Sequence, residues 1–226
     1  MIACLNKIIM TVSEIMAELK SFGNEKIKNI LLKHGVKEPF FGVKVEHLKT
    51  IQKKIKTDYQ LALDLYATGN ADAMYLAGLI AADDKMTKAD LQTWVKQAVS
   101  TNISEYTVPW VAAGSNYGFE LAREWISADE DNIAAAGWAT LGNLVALKPD
   151  DELDLPALKL LLDRAEKNIR QAGIRTQRNM NTFVVAVATY VSPLASAAAA
   201  TAAQIGAVIK KPGNNAPAKK KKTVKC

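Results

Sequence analysis

The sequence predicts an all-α protein assembled from paired helices. From residue 12 to 209 apolar positions recur three and four apart. No run of alternating β-branched residues reads as a strand. Capping or turn-forming residues interrupt the helical pattern roughly every 10 to 16 positions. With 226 residues, 49% hydrophobic and 23% charged, the chain can bury a sizeable core, which excludes collagen-like, mucin-like and wholly disordered polymers.

In chain order, Thr11 with Glu14 forms a capping box that opens a helix over Val12 to Phe22, and Gly23 closes it. A second helix, Glu25 to His34, ends at Gly35. Breaks follow at Pro39 to Gly42, Thr57-Asp58, Gly69-Asn70, Asp83-Asp84, Thr101-Asn102 and Gly114. Later ones fall at Asp129 to Asp131, Lys148 to Asp151, Asn168 and Ser192-Pro193. About a dozen helices with short connections stack more readily as antiparallel pairs than as one closed bundle. Each pair spans roughly 30 to 40 residues, the size of a HEAT-like repeat, so the expected architecture is a helical-repeat solenoid (α-α superhelix) forming one domain over residues 1–209. No clean internal period is present, which leaves a compact non-repeat bundle as the alternative.

Phe183 to Ile209 carries no charged residue and is long enough to span a membrane. Ser192, Pro193, Ser196, Thr201, Gln204 and Gly206 interrupt it, and alanine has little drive into lipid, so two packed terminal helices split at Pro193 are expected instead. Residues 210–226, KKPGNNAPAKKKKTVKC, have almost nothing to bury and read as a disordered lysine-rich tail. Its lysines could hold nucleic acid weakly or serve only solubility.

The net charge of +6 is uneven: +6 over residues 1–57, −10 over 58–162, +3 over 163–209 and +7 over 210–226. Affinity for a polyanion therefore has to come from local patches. Cys4 and Cys226 stand at opposite ends without a CxxC pair, and His34 and His47 are the only imidazoles, so neither a metal site nor a nucleophilic triad is expected. No phosphate-cradling glycine loop suggests a nucleotide cofactor. The cysteine usage fits a reduced, cytoplasmic setting, and no cleavage site follows the apolar stretch Met1 to Met10.

The segment Glu38-Pro-Phe-Phe-Gly-Val-Lys-Val-Glu-His-Leu-Lys-Thr-Ile is a turn around Gly42 feeding a helix. Leu48 and Ile51 of that helix face the core, while Lys49, Lys53, Lys54 and Lys56 face out. It resembles the N-terminal signature of the DNA alkylation repair (AlkD-like) family of HEAT-repeat alkylpurine DNA glycosylases. The resemblance continues through Leu65-Tyr66, Ala71 to Ile80, Trp94, Val108-Pro-Trp-Val-Ala-Ala, Glu124-Trp125-Ile126, Ile133 to Leu141 and Asn168 to Arg178, ending at Asn181-Thr-Phe-Val. It implies a solenoid whose concave face cups double-stranded DNA and whose activity is excision of alkylated purines of the 3-methyladenine or 7-methylguanine type, with no cofactor and no metal.

The resemblance also implies positions for the chemistry. The family's first tryptophan falls at Tyr106, its aspartate at Trp110, its phosphate-contacting arginine at Ala135 and its last tryptophan near Phe183, with Glu105 the nearest carboxylate. Trp110, Tyr106 and Glu105 are thus the candidate catalytic set. Loss of the carboxylate matters, because departure of the base leaves positive charge on the sugar, and one well-placed anion is worth on the order of 10²-fold in rate. An indole face offers a cation about 0.5 to 2 kcal/mol. The sequence therefore favours DNA or lesion binding with weak or no excision.

Tyr106, Trp110 and Tyr117 could floor an aromatic cleft or simply be core, whereas Trp125 and Trp138 read as packing. The candidate DNA contacts are Lys44, Lys49, Lys53 and Lys56 near the N-terminus, then Arg170, Arg175, Arg178 and Phe183 near the C-terminus, the arginines continuing a basic run from Arg164 and Lys167. A monomer is expected. The competing reading is a protein-binding helical scaffold that uses the acidic middle of the chain.

Overall fold

The computed structural model describes residues 10–206. Among these residues the chain forms twelve α-helices and no strand. They are α1 (Val12–Ser21), α2 (Glu25–Lys33), α3 (Val45–Ile55), α4 (Tyr59–Ala67), α5 (Ala71–Ile80), α6 (Lys88–Gln97), α7 (Val108–Gly114), α8 (Gly118–Trp125), α9 (Asp131–Leu147), α10 (Leu155–Asn168), α11 (Ile174–Tyr190) and α12 (Ala195–Ile205). A π turn, Ile103–Thr107, leads into α7. The tail at 210–226 and both cysteines lie outside the described residues.

Local signals account for half of the helix starts. The Thr11 hydroxyl accepts from the Glu14 amide, and the Glu14 carboxylate accepts from the Thr11 amide at 2.8 Å. Thr87 and Asp90 repeat this box at α6. Asn24, Asp58, Asn70 and Asp154 each cap a helix with a side-chain oxygen. One expected break is displaced: the loop occupies residues 98–100, and Thr101-Asn102 already belong to the next helical run. Ser100 is the reason, since its carbonyl accepts from both the Ile103 and Ser104 amides.

The sequence reading takes residues 1–209 as one domain; the packing divides into two compact units between Val111 and Ala112, inside α7. In the first unit α5 is central, packing against α3, α4 and the π turn. Leu65, Met74, Leu76 and Ile80 are fully buried there, and Tyr66 stacks on Trp94 while donating its hydroxyl to the Trp94 carbonyl at 2.6 Å.

In the second unit α9 is central, with α8 and α11 against it and α12 against α10 and α11. The small residues of α9 permit backbone approach: a Cβ on Gly137 would lie 2.7 Å from the Ile126 nitrogen. Trp125 and Trp138 are buried, as a packing role requires. The chain turns by 113° between α11 and α12, at the expected Ser192-Pro193 break, and Phe183 and Val187 of α11, Leu194 of the turn and Ala198 of α12 enter one core. No single described helix is long and apolar enough to cross a membrane.

Candidate nucleic-acid interface

The lysine face belongs to α3. Leu48, Ile51 and Ile55 are buried at helical spacing, which leaves Lys49 and Lys53, one turn apart, exposed on the opposite side. Lys44 precedes the helix and Lys56 follows it, and both are exposed. The structure therefore brings these four cations to one element. Lys44 leans on Glu46 at 3.4 Å. Lys54, expected to face out with the others, instead reaches the Glu18 carboxylate at 2.6 Å and ties α3 to α1.

The direction of α3 is set from a distance by Asp72. This side chain is 6% exposed, at the start of the apolar helix α5. Its Oδ2 accepts from the Phe41 and Gly42 amides at 2.6 and 3.0 Å, and its Oδ1 accepts from the Val43 amide at 3.2 Å. Three consecutive amides of the turn that feeds α3 thus converge on one carboxylate. Burial pushes the Asp72 carboxyl above the usual carboxylate range, against the pull of the amides and of Lys28. Gly42 holds φ at 78°, and a Cβ there would lie 2.7 Å from the Asn24 carbonyl oxygen and from the Lys28 nitrogen, so only glycine lets the turn pass so close to α2. An aspartate within Ala71 to Ile80 was a readable sign that donors must be near, but the sequence could not say which.

The candidate catalytic set lies on the π turn and α7. Tyr106 is 42% exposed, and Glu105 and Trp110 are half-buried. A π turn takes more residues per turn than an α-helix, so residues four apart across it need not share a face. Trp110 turns inward: its indole N–H donates to the Gly78 carbonyl at 3.4 Å, and its ring meets Tyr75 edge-on at 5.4 Å. A Cβ on Gly78 would collide with the Thr107 methyl, so the bare glycine is what admits the π turn against α5. The position matched to the family's aspartate therefore holds an indole engaged with its own unit. Tyr117, expected on the same face as Tyr106 and Trp110, lies within a break at residues 115–117.

One assignment in the second unit needs correction. Phe183 is 0% exposed and packs on Trp138 with ring centroids 5.3 Å apart, so it is core and cannot stack on a nucleotide. Its predicted role followed from order along the chain, while the local pattern of α11 buries Met180, Phe183, Val184 and Val187 together. Ala135, matched to the phosphate-contacting arginine, is also 0% exposed and offers no surface site.

The basic run is unequal in its commitments. Arg164 donates to the Ile126 carbonyl at 2.8 Å and to the Ser127 hydroxyl at 3.2 Å. Arg170 and Arg178 are exposed, and Arg175 is half-buried. The amides of Arg175 and Thr176 donate to the Asp131 carboxylate at 3.2 and 3.1 Å, so Asp131 caps α11 from the start of α9. Burial alone would raise the Asp131 carboxyl, but the hydrogen bonds from Thr176 and Arg175 and the Arg175 charge outweigh it and hold the group below its ordinary range. A lowered folded value means that this cap stabilises above the unfolded carboxyl pKa and is lost as pH falls through the folded one. Asp131→Ala is expected to cost about 1 kcal/mol at neutral pH. Urea unfolding at stepped pH should show the gap between variant and parent closing below about pH 4.

Comparison with known proteins gives this geometry its context. The family model described as DNA alkylation repair enzyme matches residues 15–202. An uncharacterized protein of Listeria innocua is 25% identical over 206 residues, 88% of each chain, and one of Listeria monocytogenes is 26% identical over 214 residues, 92% of each. A solved structure is similar at a TM-score of 0.84 and 33% identity, covering 91% of this chain and 87% of that one. It is described as part of a new family of proteins related to the HEAT-like repeat DNA glycosylases with affinity for branched DNA structures. The helical-repeat class expected from element counting is thereby met, and with the match extending over most of its length, the chain belongs to the DNA alkylation repair enzyme family.

Proposed function

We propose that the protein binds double-stranded DNA, including the arms of branched structures, and excises alkylated purines weakly or not at all. The lysines of α3 serve as phosphate contacts in the first unit, and Arg170 and Arg178, with Arg175 near them in sequence, in the second. Exposed lysines one helical turn apart and arginine forks suit phosphate oxygens, which position a duplex without reading its sequence. Affinity for branched DNA in the family of the similar solved structure supports the same partner class.

The observation that carries the catalytic half of the reading is Trp110. Its N–H is engaged by the Gly78 carbonyl, and an indole supplies no negative charge to a developing sugar cation. Single-turnover release of 7-methylguanine from a methylated duplex is the test, with release no faster than the spontaneous rate as the expected result. Release that Trp110→Ala abolishes would overturn it. A gel-shift titration across salt, repeated on a chain lacking residues 210–226, separates phosphate contacts of the folded body from those of the lysine tail; binding that vanishes with the tail would favour a protein-binding scaffold.

A further inference from the structure

A cavity of about 300 Å³ opens in the first unit between α2, α3, α5 and the start of the π turn. Its walls are apolar, with Ile27 and Leu31 from α2, Phe40 and Leu48 from the signature segment, and Ile103. The α2 helix contributes no fully buried side chain, so its apolar face lies over a space that the described residues leave unfilled. Polar residues also line this space: Lys44, Tyr75, Ser100 and Asn102. Lys44 and Asn102 are exposed, which places the mouth on their side, and neither the Tyr75 hydroxyl nor the Asn102 amide is hydrogen-bonded among the described residues.

We infer that this cavity receives an unpaired nucleobase from a branch point of DNA held by α3, a deepening that rests on the DNA-binding reading above. The volume sits at the low end for small-ligand sites, about 300 to 1,000 Å³, which suits a ligand of one or two rings. Flat apolar and aromatic walls take the faces of such a ring. The side-chain amide of Asn102 offers a donor and an acceptor side by side, the pattern that a base edge presents. Lys44 stands where the attached phosphate would emerge, at the head of the lysine face. A lipid chain would fill the walls but leave the Asn102 amide and the Tyr75 hydroxyl without partners, at a cost that disfavours it, whereas the Ser100 hydroxyl already accepts from the Ile103 amide at 3.4 Å. A paired base inside a duplex cannot enter, whereas an unstacked base at a junction gives up little to do so. Asp72 also borders the cavity, but its oxygens are taken by the amides of residues 41–43, so it shapes the floor.

The test compares three DNAs at fixed salt with the full chain: a linear duplex, a fully paired three-way junction, and the same junction with one unpaired 2-aminopurine at the branch point. The unpaired junction is expected to bind roughly tenfold tighter than the paired one, with a change in 2-aminopurine fluorescence on binding. Asn102→Ala, at an exposed position, and Ala71→Leu, which puts bulk into the cavity, should each remove most of that preference and leave duplex affinity within about twofold. If Ala71→Leu fails to fold, Asn102→Ala alone decides. A preference that survives Asn102→Ala, or an unchanged fluorescence signal, overturns the inference while duplex binding stands. If no DNA binds at all, the DNA-binding reading falls and this inference with it.

Discussion

Replacing Asp72 by alanine is expected to lower the unfolding free energy by about 3 to 5 kcal/mol, the range seen when one partner of a buried charged hydrogen-bond set is removed. The amides of Phe41, Gly42 and Val43 would lose the carboxylate that accepts from all three. For a protein of this size that corresponds to a fall in melting temperature of roughly 6 to 20 °C. Asp72→Asn should cost less, since one oxygen can retain the two bonds that Oδ2 accepts now, while the new NH2 group opposes the Val43 amide. Urea unfolding of the three proteins checks the order, and an alanine variant as stable as the parent would show that the turn into α3 holds itself.

The largest effect on binding should come from Lys49→Ala with Lys53→Ala. Neither lysine forms an ion pair among the described residues, so their removal changes the surface charge with little effect on folding. Each phosphate contact contributes about 0.9 to the slope of log affinity against log salt, so the double variant should flatten that slope by roughly 1.8. A fourfold change in salt would then alter affinity roughly twelvefold less than in the parent. The control is the pair Lys96→Ala and Lys159→Ala, exposed lysines on α6 and α10 that are not assigned to DNA. Equal flattening in both pairs would mean that general charge, and not the α3 face, attracts the polyanion.

How much of this was readable in the sequence follows from the range of each interaction. The Thr11 and Glu14 box and the breaks at Thr57-Asp58 and Ser192-Pro193 depend on residues within a turn or so of one another, and each was found where the pattern places it. The exposed side of α3 was legible for the same reason, because burial at Leu48 and Ile51 fixes what remains outside. Asp72 was not, since its partners lie about 30 residues back and nothing in Ala71 to Ile80 points to them. The π turn was equally hidden; one added residue per turn leaves no compositional mark, yet it decides where Tyr106 and Trp110 point. Phe183 went wrong because matching by order along a family cannot distinguish a ring in a groove from a ring in a core.

The first turn of α11 is closed to outside anions by Asp131. Free amides at a helix start ordinarily welcome an anion, and three arginines in the neighbouring sequence would make this one inviting. Here the seat is taken, because the Asp131 carboxylate occupies it and Gly173 leaves room for that carboxylate where any Cβ would collide. A phosphate arriving at this corner meets an incumbent negative charge at the helix pole, and the exposed guanidinium groups of Arg170 and Arg178 are left to greet it. Grip at that end of the chain should therefore tolerate shifts in register, sliding along the strand instead of locking to a single phosphate.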